Sequence, residues 1–178
     1  MPDAARIRTA TLEDIPVLQQ LIARSAEGLS VGYYTPVQVA ALVQHVFGVD
    51  TQLIADRTYY VMEQDGAVVA CGGWSGRATL FGGDQMKTNA DPLLDPSVDA
   101  ARIRAFFVDP RMARRGLGRA LLARCLDAAR AAAFRSMELV ATRPGEPLYR
   151  AGGFIVTERF DLRLADVDVP VARMSRAI

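Results

Sequence analysis

In the stretch VDPRMARRGLGRALL, residues 108–122, Arg114, Arg115 and Arg119 crowd Gly116 and Gly118 where a helix should begin. A helix start is already partly positive, so cations there are mildly unfavourable unless something negative joins them. The N–H groups of a first helical turn have no partner inside the helix. Together with the helix dipole they bind anions, phosphates above all. Glycines clear side chains from the path of a bulky diphosphate, and arginines add complementary charge. The alternative is a turn merely shaped by glycine, with solvated arginines, and the crowding of three cations argues against it. A dinucleotide fingerprint would need a third glycine where Leu121 stands. A Walker loop would need Gly-Lys-Ser/Thr, but Lys87, the only lysine, follows Met86.

These residues, followed by ELVATRPGEPLYRAGGF at 138–154, resemble the GNAT superfamily of acetyl-CoA-dependent N-acetyltransferases. The likeness is strongest over residues 101–160. It implies a mixed, mostly antiparallel sheet of about seven strands flanked by about four helices, as one domain over residues 1–178. The family's pyrophosphate signature is Gln/Arg-x-x-Gly-x-Gly/Ala. Gly116 and Gly118 fall in place for it, with Ala113 at the Gln/Arg position, while a frame on Arg115, Gly118 and Ala120 satisfies the letters. The resemblance further implies that Phe107 and Val108 bind the pantetheine arm through backbone groups, between strands FFV and ELVAT splayed apart. Thr142 stands where the family has Asn, and Gly145 where it has Ala. The resemblance sets Tyr149 beside the thioester sulfur as general acid, with acetyl-CoA as co-substrate and no metal. The acceptor implied is a primary amine of a small molecule or peptide, and a homodimer is possible on resemblance only.

The chemistry explains why such residues are wanted. An amine attacks the thioester carbonyl, an oxyanion forms and a thiolate leaves, with much of the rate coming from holding both reactants together. A backbone N–H at residue 107 or 108 can polarise the carbonyl. A thiol ionises near 8.5 and a tyrosine near 10, so Tyr149 can hand the thiolate a proton; the alternative is a core aromatic beside Phe154. The amine must be neutral to attack, which suggests a base. His45, Glu27, Glu63, Asp84 and Asp99 are possible bases, each equally readable as ordinary surface or core-edge charge. Trp74, Tyr33 and Tyr34 can line an acceptor pocket or simply pack. A non-catalytic acyl-CoA sensor, or a transferase of longer acyl groups, is the rival reading.

The elements that must hold this corner follow from patterning. RIRTAT (6–11) alternates as a strand, and Ile15, Leu18, Leu21 and Ile22 mark a helix capped by Thr11 or Asp14 with Pro16 in its first turn. Residues 35–49 read as a second helix, from Thr35-Pro36 to Gly48. Asp65-Gly66 between β-prone runs predicts a tight hairpin. Residues 76–99 read as a long loop, either shaping the acceptor site or forming a disordered insertion. ARIRAFFVDP is a strand. Residues 116–133 are the clearest helix, with Leu117, Leu121, Leu122, Cys125, Leu126 and Ala129 on its apolar stripe. A strand at 136–142, a short helix in GEPLYRAGG and two closing strands complete an α/β reading.

Composition sets the outer limits. The 178 residues are 51% hydrophobic with a net charge of +1, so no basic face for nucleic acid or an anionic membrane is expected. Cys71 and Cys125 form neither a metal-site spacing nor a disulfide framework. MPDAARIRTA lacks the apolar core of a signal peptide, and no run approaches the roughly 20 residues of a membrane span. A reducing, cytoplasmic setting is the expectation.

Overall fold

The computed structural model describes residues 5–87 and 90–178. Residues 1–4, from the segment read as lacking a signal peptide, and residues 88–89 of the long loop lie outside them. Seven strands form one sheet: β1 (Arg6–Thr9), β2 (Tyr59–Gln64), β3 (Ala67–Ser75), β4 (Ala101–Val108), β5 (Ser136–Thr142), β6 (Ile155–Leu164) and β7 (Val167–Ala177). Their order across the sheet is β1-β2-β3-β4-β5-β7-β6. Every neighbouring pair is antiparallel except β4 and β5. Five α-helices, against about four expected, flank it: α1 (Ile15–Leu29), α2 (Pro36–His45), α3 (Thr51–Ala55), α4 (Leu117–Ala131) and α5 (Glu146–Ala151).

Side-chain alternation along β2 divides the core into two faces. Tyr60 and Met62 pack with the buried stripe of α4, while Tyr59 and Val61 pack with Leu18, Leu21 and Ile22 of α1. A third cluster joins Leu42 of α2 to Val169 and Val171 of β7. The buried residues of α4 are Leu117, Leu121, Leu122, Cys125, Leu126 and Ala129, the stripe predicted from spacing. Asp65 and Gly66 both take positive φ, 49° and 75°, as a tight hairpin turn between β2 and β3 requires.

Three expectations need correcting. The first strand stops at Thr9 because the Thr11 amide donates to Asp14 Oδ2 at 2.8 Å, which turns the chain into a short 3₁₀ turn. The second helix has the predicted cap, with the Gln38 amide donating to Thr35 Oγ1, but it ends at His45 rather than near Gly48. Gly48 serves a different purpose: it lets the long loop come close. The Gly83 amide donates to the Val46 carbonyl at 2.8 Å, and a methyl group on Gly83 would stand 2.9 Å from the Gly48 backbone. The five-residue α3 that follows, capped by Asp50, was not anticipated.

The long loop is docked over its described residues. Arg77 pairs with Asp56 at 2.6 Å, and residues 84–86 form a 3₁₀ turn. Arg104 of β4, 2% exposed, donates to the carbonyls of Thr79 and Gly82 and to Asp50 Oδ2. Lys87 reaches the other Asp50 oxygen. A buried cation–carboxylate pair thus holds the loop against the sheet.

Candidate active site

A cleft of about 580 Å³ opens where β4 and β5 part. The two strands pair only at Ala101↔Met137 and Arg102↔Glu138, and beyond those positions they diverge. Their C-terminal halves form two walls of the cleft, as the splayed strands were expected to do.

A bulge in β4 shapes the first wall. Cys71 pairs with Phe107 and Gly73 with Arg104, so Gly72 alone faces both Ala105 and Phe106. The extra residue bends the strand and leaves these two without ladder partners of their own. Ala105 has φ 54°, and its carbonyl accepts from the buried Tyr59 hydroxyl at 3.3 Å. Gly72 is required for closeness: a methyl group there would stand 2.7 Å from the Phe106 ring. That ring meets Tyr149 edge-on at 6.0 Å, and Tyr149 meets Phe154 at 6.0 Å. The chain Gly72, Phe106, Tyr149 therefore carries the bulge geometry to the phenol.

Tyr149 is 8% exposed and borders the cleft. Burial pushes its pKa well above the ordinary phenol value, with nearby Cys125 adding to the rise. The side chain is thus a protonated donor at any physiological pH. Cys71 beneath the bulge is likewise pushed up by burial, to about 12, and is an inert thiol.

The turn before α4 is open. Among the described residues, the amides of Arg114 to Arg119 donate to no protein group; the first bond of the helix is Ala120 N–H to the Gly116 carbonyl, 3.0 Å. Arg114, Arg115 and Arg119 are exposed and form no ion pair among the described residues. Arg111, by contrast, is held by Asp109 at 2.8 Å. The two glycines differ in purpose. Gly116 sits at φ 85° with open space around its Cα, so its need is conformational. At Gly118 a methyl group would stand 3.0 Å from Leu148, so this glycine lets α4 approach α5.

Of the anticipated site residues, Phe107, Val108, Arg114 and Gly116 border the cleft, as do Gly118, Arg119, Thr142 and Tyr149. Arg115 and Ala120 do not. The Phe107 ring is engaged in packing, edge-on to Phe47 at 5.3 Å. The Val108 amide donates to Ser25 Oγ of α1 at 3.2 Å, so it is already partnered.

The candidate bases are elsewhere. His45 and Glu27 do not border the cleft. Glu63 binds Arg8 at 2.7 Å, Asp84 accepts from the Thr51 amide, and Asp99 accepts from the Asp95 amide. Of the aromatics, Tyr33 lines the mouth. Tyr34 is structural, donating to the Pro170 carbonyl at 2.7 Å, and Trp74 packs edge-on against Phe134.

Sequence reasoning did not single out Ser25, the bulge or the Arg104–Asp50 pair. The bulge had a signal, the Gly72-Gly73 doublet inside a strand, which marks close backbone approach. Among the described residues no acidic, histidine or cysteine cluster suits a metal ion, and no helix is long and apolar enough to cross a membrane.

The chain belongs to the acetyltransferase (GNAT) family, whose model matches residues 32–154. Solved structures agree in fold. A GCN5-related N-acetyltransferase from Rhodopseudomonas palustris is 16% identical, covers 100% of this chain and 98% of its own, and superposes with a TM-score of 0.73. A phosphinothricin acetyltransferase from Sinorhizobium meliloti in complex with AcCoA is 20% identical over 99% of this chain and 89% of its own, TM-score 0.66. The PaiA N-acetyltransferase from Thermoplasma acidophilum in complex with coenzyme A is 12% identical over 99% and 100%, TM-score 0.66. A comparison with curated proteins finds no match.

Proposed function

We propose that this chain transfers an acetyl group from acetyl-CoA to a primary amine by direct attack, with Tyr149 as the general acid. One observation carries the reading: a run of unpartnered amides at 114–119, ringed by unpaired arginines, opens onto a cleft that ends at a buried, protonated phenol. Unsatisfied amides and free cations in one turn suit a diphosphate. The splayed edges of β4 and β5 suit an extended pantetheine arm, and Thr142 adds a hydroxyl at the β5 side.

In this reading the amine lone pair attacks the thioester carbon and the carbon–sulfur bond breaks with its electrons going to sulfur. Tyr149 gives its proton to the leaving sulfur and is reprotonated by the proton that nitrogen releases, so the whole exchange is proton-neutral. Burial that raises the phenol also disfavours a bare thiolate in the same dry pocket, which keeps donor and acceptor matched. The carbonyl is polarised by a β4 amide other than that of Val108, which already serves Ser25: that of Phe107 or one from the bulge. Arg114 and Arg119 hold the diphosphate with the loop amides, and Arg115, off the cleft, adds only field.

Calorimetric titration with acetyl-CoA followed by thiol release over an amine panel tests this. Micromolar binding with turnover is the expected result. Binding without turnover would indicate a sensor, and absence of binding would overturn the proposal.

A further inference from the structure

The wall of the cleft facing α1, α2 and the long loop is apolar, and among the described residues no carboxylate or imidazole borders the cleft. Leu29 of α1, Leu42 and Val46 of α2 and its exit, and Leu80 and Phe81 of the long loop form its wall. The titratable or charged groups that border the cleft are, element by element, Tyr33 after α1, Arg104 on β4, Arg114 and Arg119 around the start of α4, and Tyr149 on α5. The α2, β5, β6, β7 and loop 80–83 segments contribute none among the described residues. All five groups are cations or phenols, so none can take a proton from an ammonium at neutral pH. Arg104 is neutralised from behind by Asp50, itself 0% exposed and also gripped by Lys87. A protonated amine entering here would be stripped of water with no counter-charge, which is costly.

Resting on the acetyltransferase reading above, we infer that the acceptor is a small primary amine on an apolar scaffold, bound as the uncharged free base. The amine loses its ammonium proton to bulk water before binding. Among the described residues no side chain bordering the cleft takes that first proton; Tyr149 recovers only the second, released after attack. Arg104 acts as a positioning residue for this preference: through the carbonyls of Thr79 and Gly82 it holds Leu80 and Phe81 at the wall.

The test measures kcat/KM against pH for 2-phenylethylamine, 4-methylaniline and spermidine with acetyl-CoA, after calorimetry has established that acetyl-CoA binds. The two apolar amines should exceed spermidine by about tenfold or more. For 2-phenylethylamine kcat/KM should climb about tenfold per pH unit up to the amine's own pKa, and the rising limb should move to much lower pH with the less basic 4-methylaniline. A limb fixed at one pH for both amines would reveal an enzyme base and overturn the inference. So would a preference for spermidine or for a lysine peptide, or binding of acetyl-CoA without turnover of any probe. Failure of acetyl-CoA to bind would instead fell the parent reading. As a second arm, Leu80→Asp, at a partly exposed position, should move the spermidine to 2-phenylethylamine ratio about tenfold toward spermidine. An unchanged ratio in a folded Leu80→Asp variant would show that this wall does not face the acceptor.

Discussion

The two ends of the cleft handle charge in opposite ways. At the α4 end, Arg114, Arg115 and Arg119 are exposed and, among the described residues, unpaired, beside six amides that donate to none of those residues. At the loop end, Arg104 is buried, and its donors reach Asp50, Thr79 and Gly82. The contrast teaches how to read an arginine near a cleft. One whose donors are satisfied internally builds the wall, and one left open beside orphan amides is free to meet an anion, as the proposed function requires.

The largest expected effect breaks the loop end. Arg104→Ala strips the buried Asp50 of one of its two cations, leaving Lys87 and the Gln52 amide, and should destabilise the fold by about 3–5 kcal/mol, read as a fall in denaturant midpoint. A loss under about 1 kcal/mol would mean that the pair is not holding the loop. Next, Tyr149→Phe should reduce kcat about 10²-fold while acetyl-CoA affinity in calorimetry stays the same. Undiminished kcat would remove Tyr149 from its acid role.

At the open end, Gly118→Asp sets a carboxylate against Leu148 and among the free amides, so acetyl-CoA should bind at least about tenfold more weakly. Unchanged affinity would mean that the turn has been misassigned. Arg114→Ala and Arg119→Ala should each weaken binding only about fivefold, with the loss shrinking at high salt because both side chains are solvent-exposed. Equal losses at low and high salt would contradict a charge role.

The smallest effect concerns pH. Asp14 beside Arg8, Asp109 beside Arg111, and Glu146 beside Arg159 and Arg150 are each held at about 2, below their ordinary 3.8, 3.8 and 4.5. Their folded values are depressed, so their stabilisation is complete above about pH 4.5 and is lost as pH falls toward 2. Glu146→Gln should flatten part of that acid slope in urea midpoints. An unaltered slope would mean that the Arg159 pair contributes nothing.

Local signals in the chain were enough for much of this. Asp65-Gly66, Thr35-Pro36 and the α4 stripe each carry their structure in a few neighbouring residues, and each formed as read. The open turn at 114–119 was legible for the same reason, since glycine and arginine types were adjacent. What was illegible depends on long-range pairing. Gly48 looked like a helix end because nothing nearby reveals that Gly83 will pass against it. Asp50 and Arg104, 54 residues apart, meet only once the sheet exists. Ser25 and the Val108 amide, 83 apart, are the same case.

On the proposed function, the unpartnered amides before α4 receive the co-substrate's diphosphate. Hydrogen exchange measured with and without acetyl-CoA reads those amides directly. Strong slowing is expected over residues 114–119, with slowing also along the β4 bulge at 105–106 and little change in β1 or β6. Saturating acetyl-CoA that left exchange at 114–119 as fast as in the free protein would contradict it.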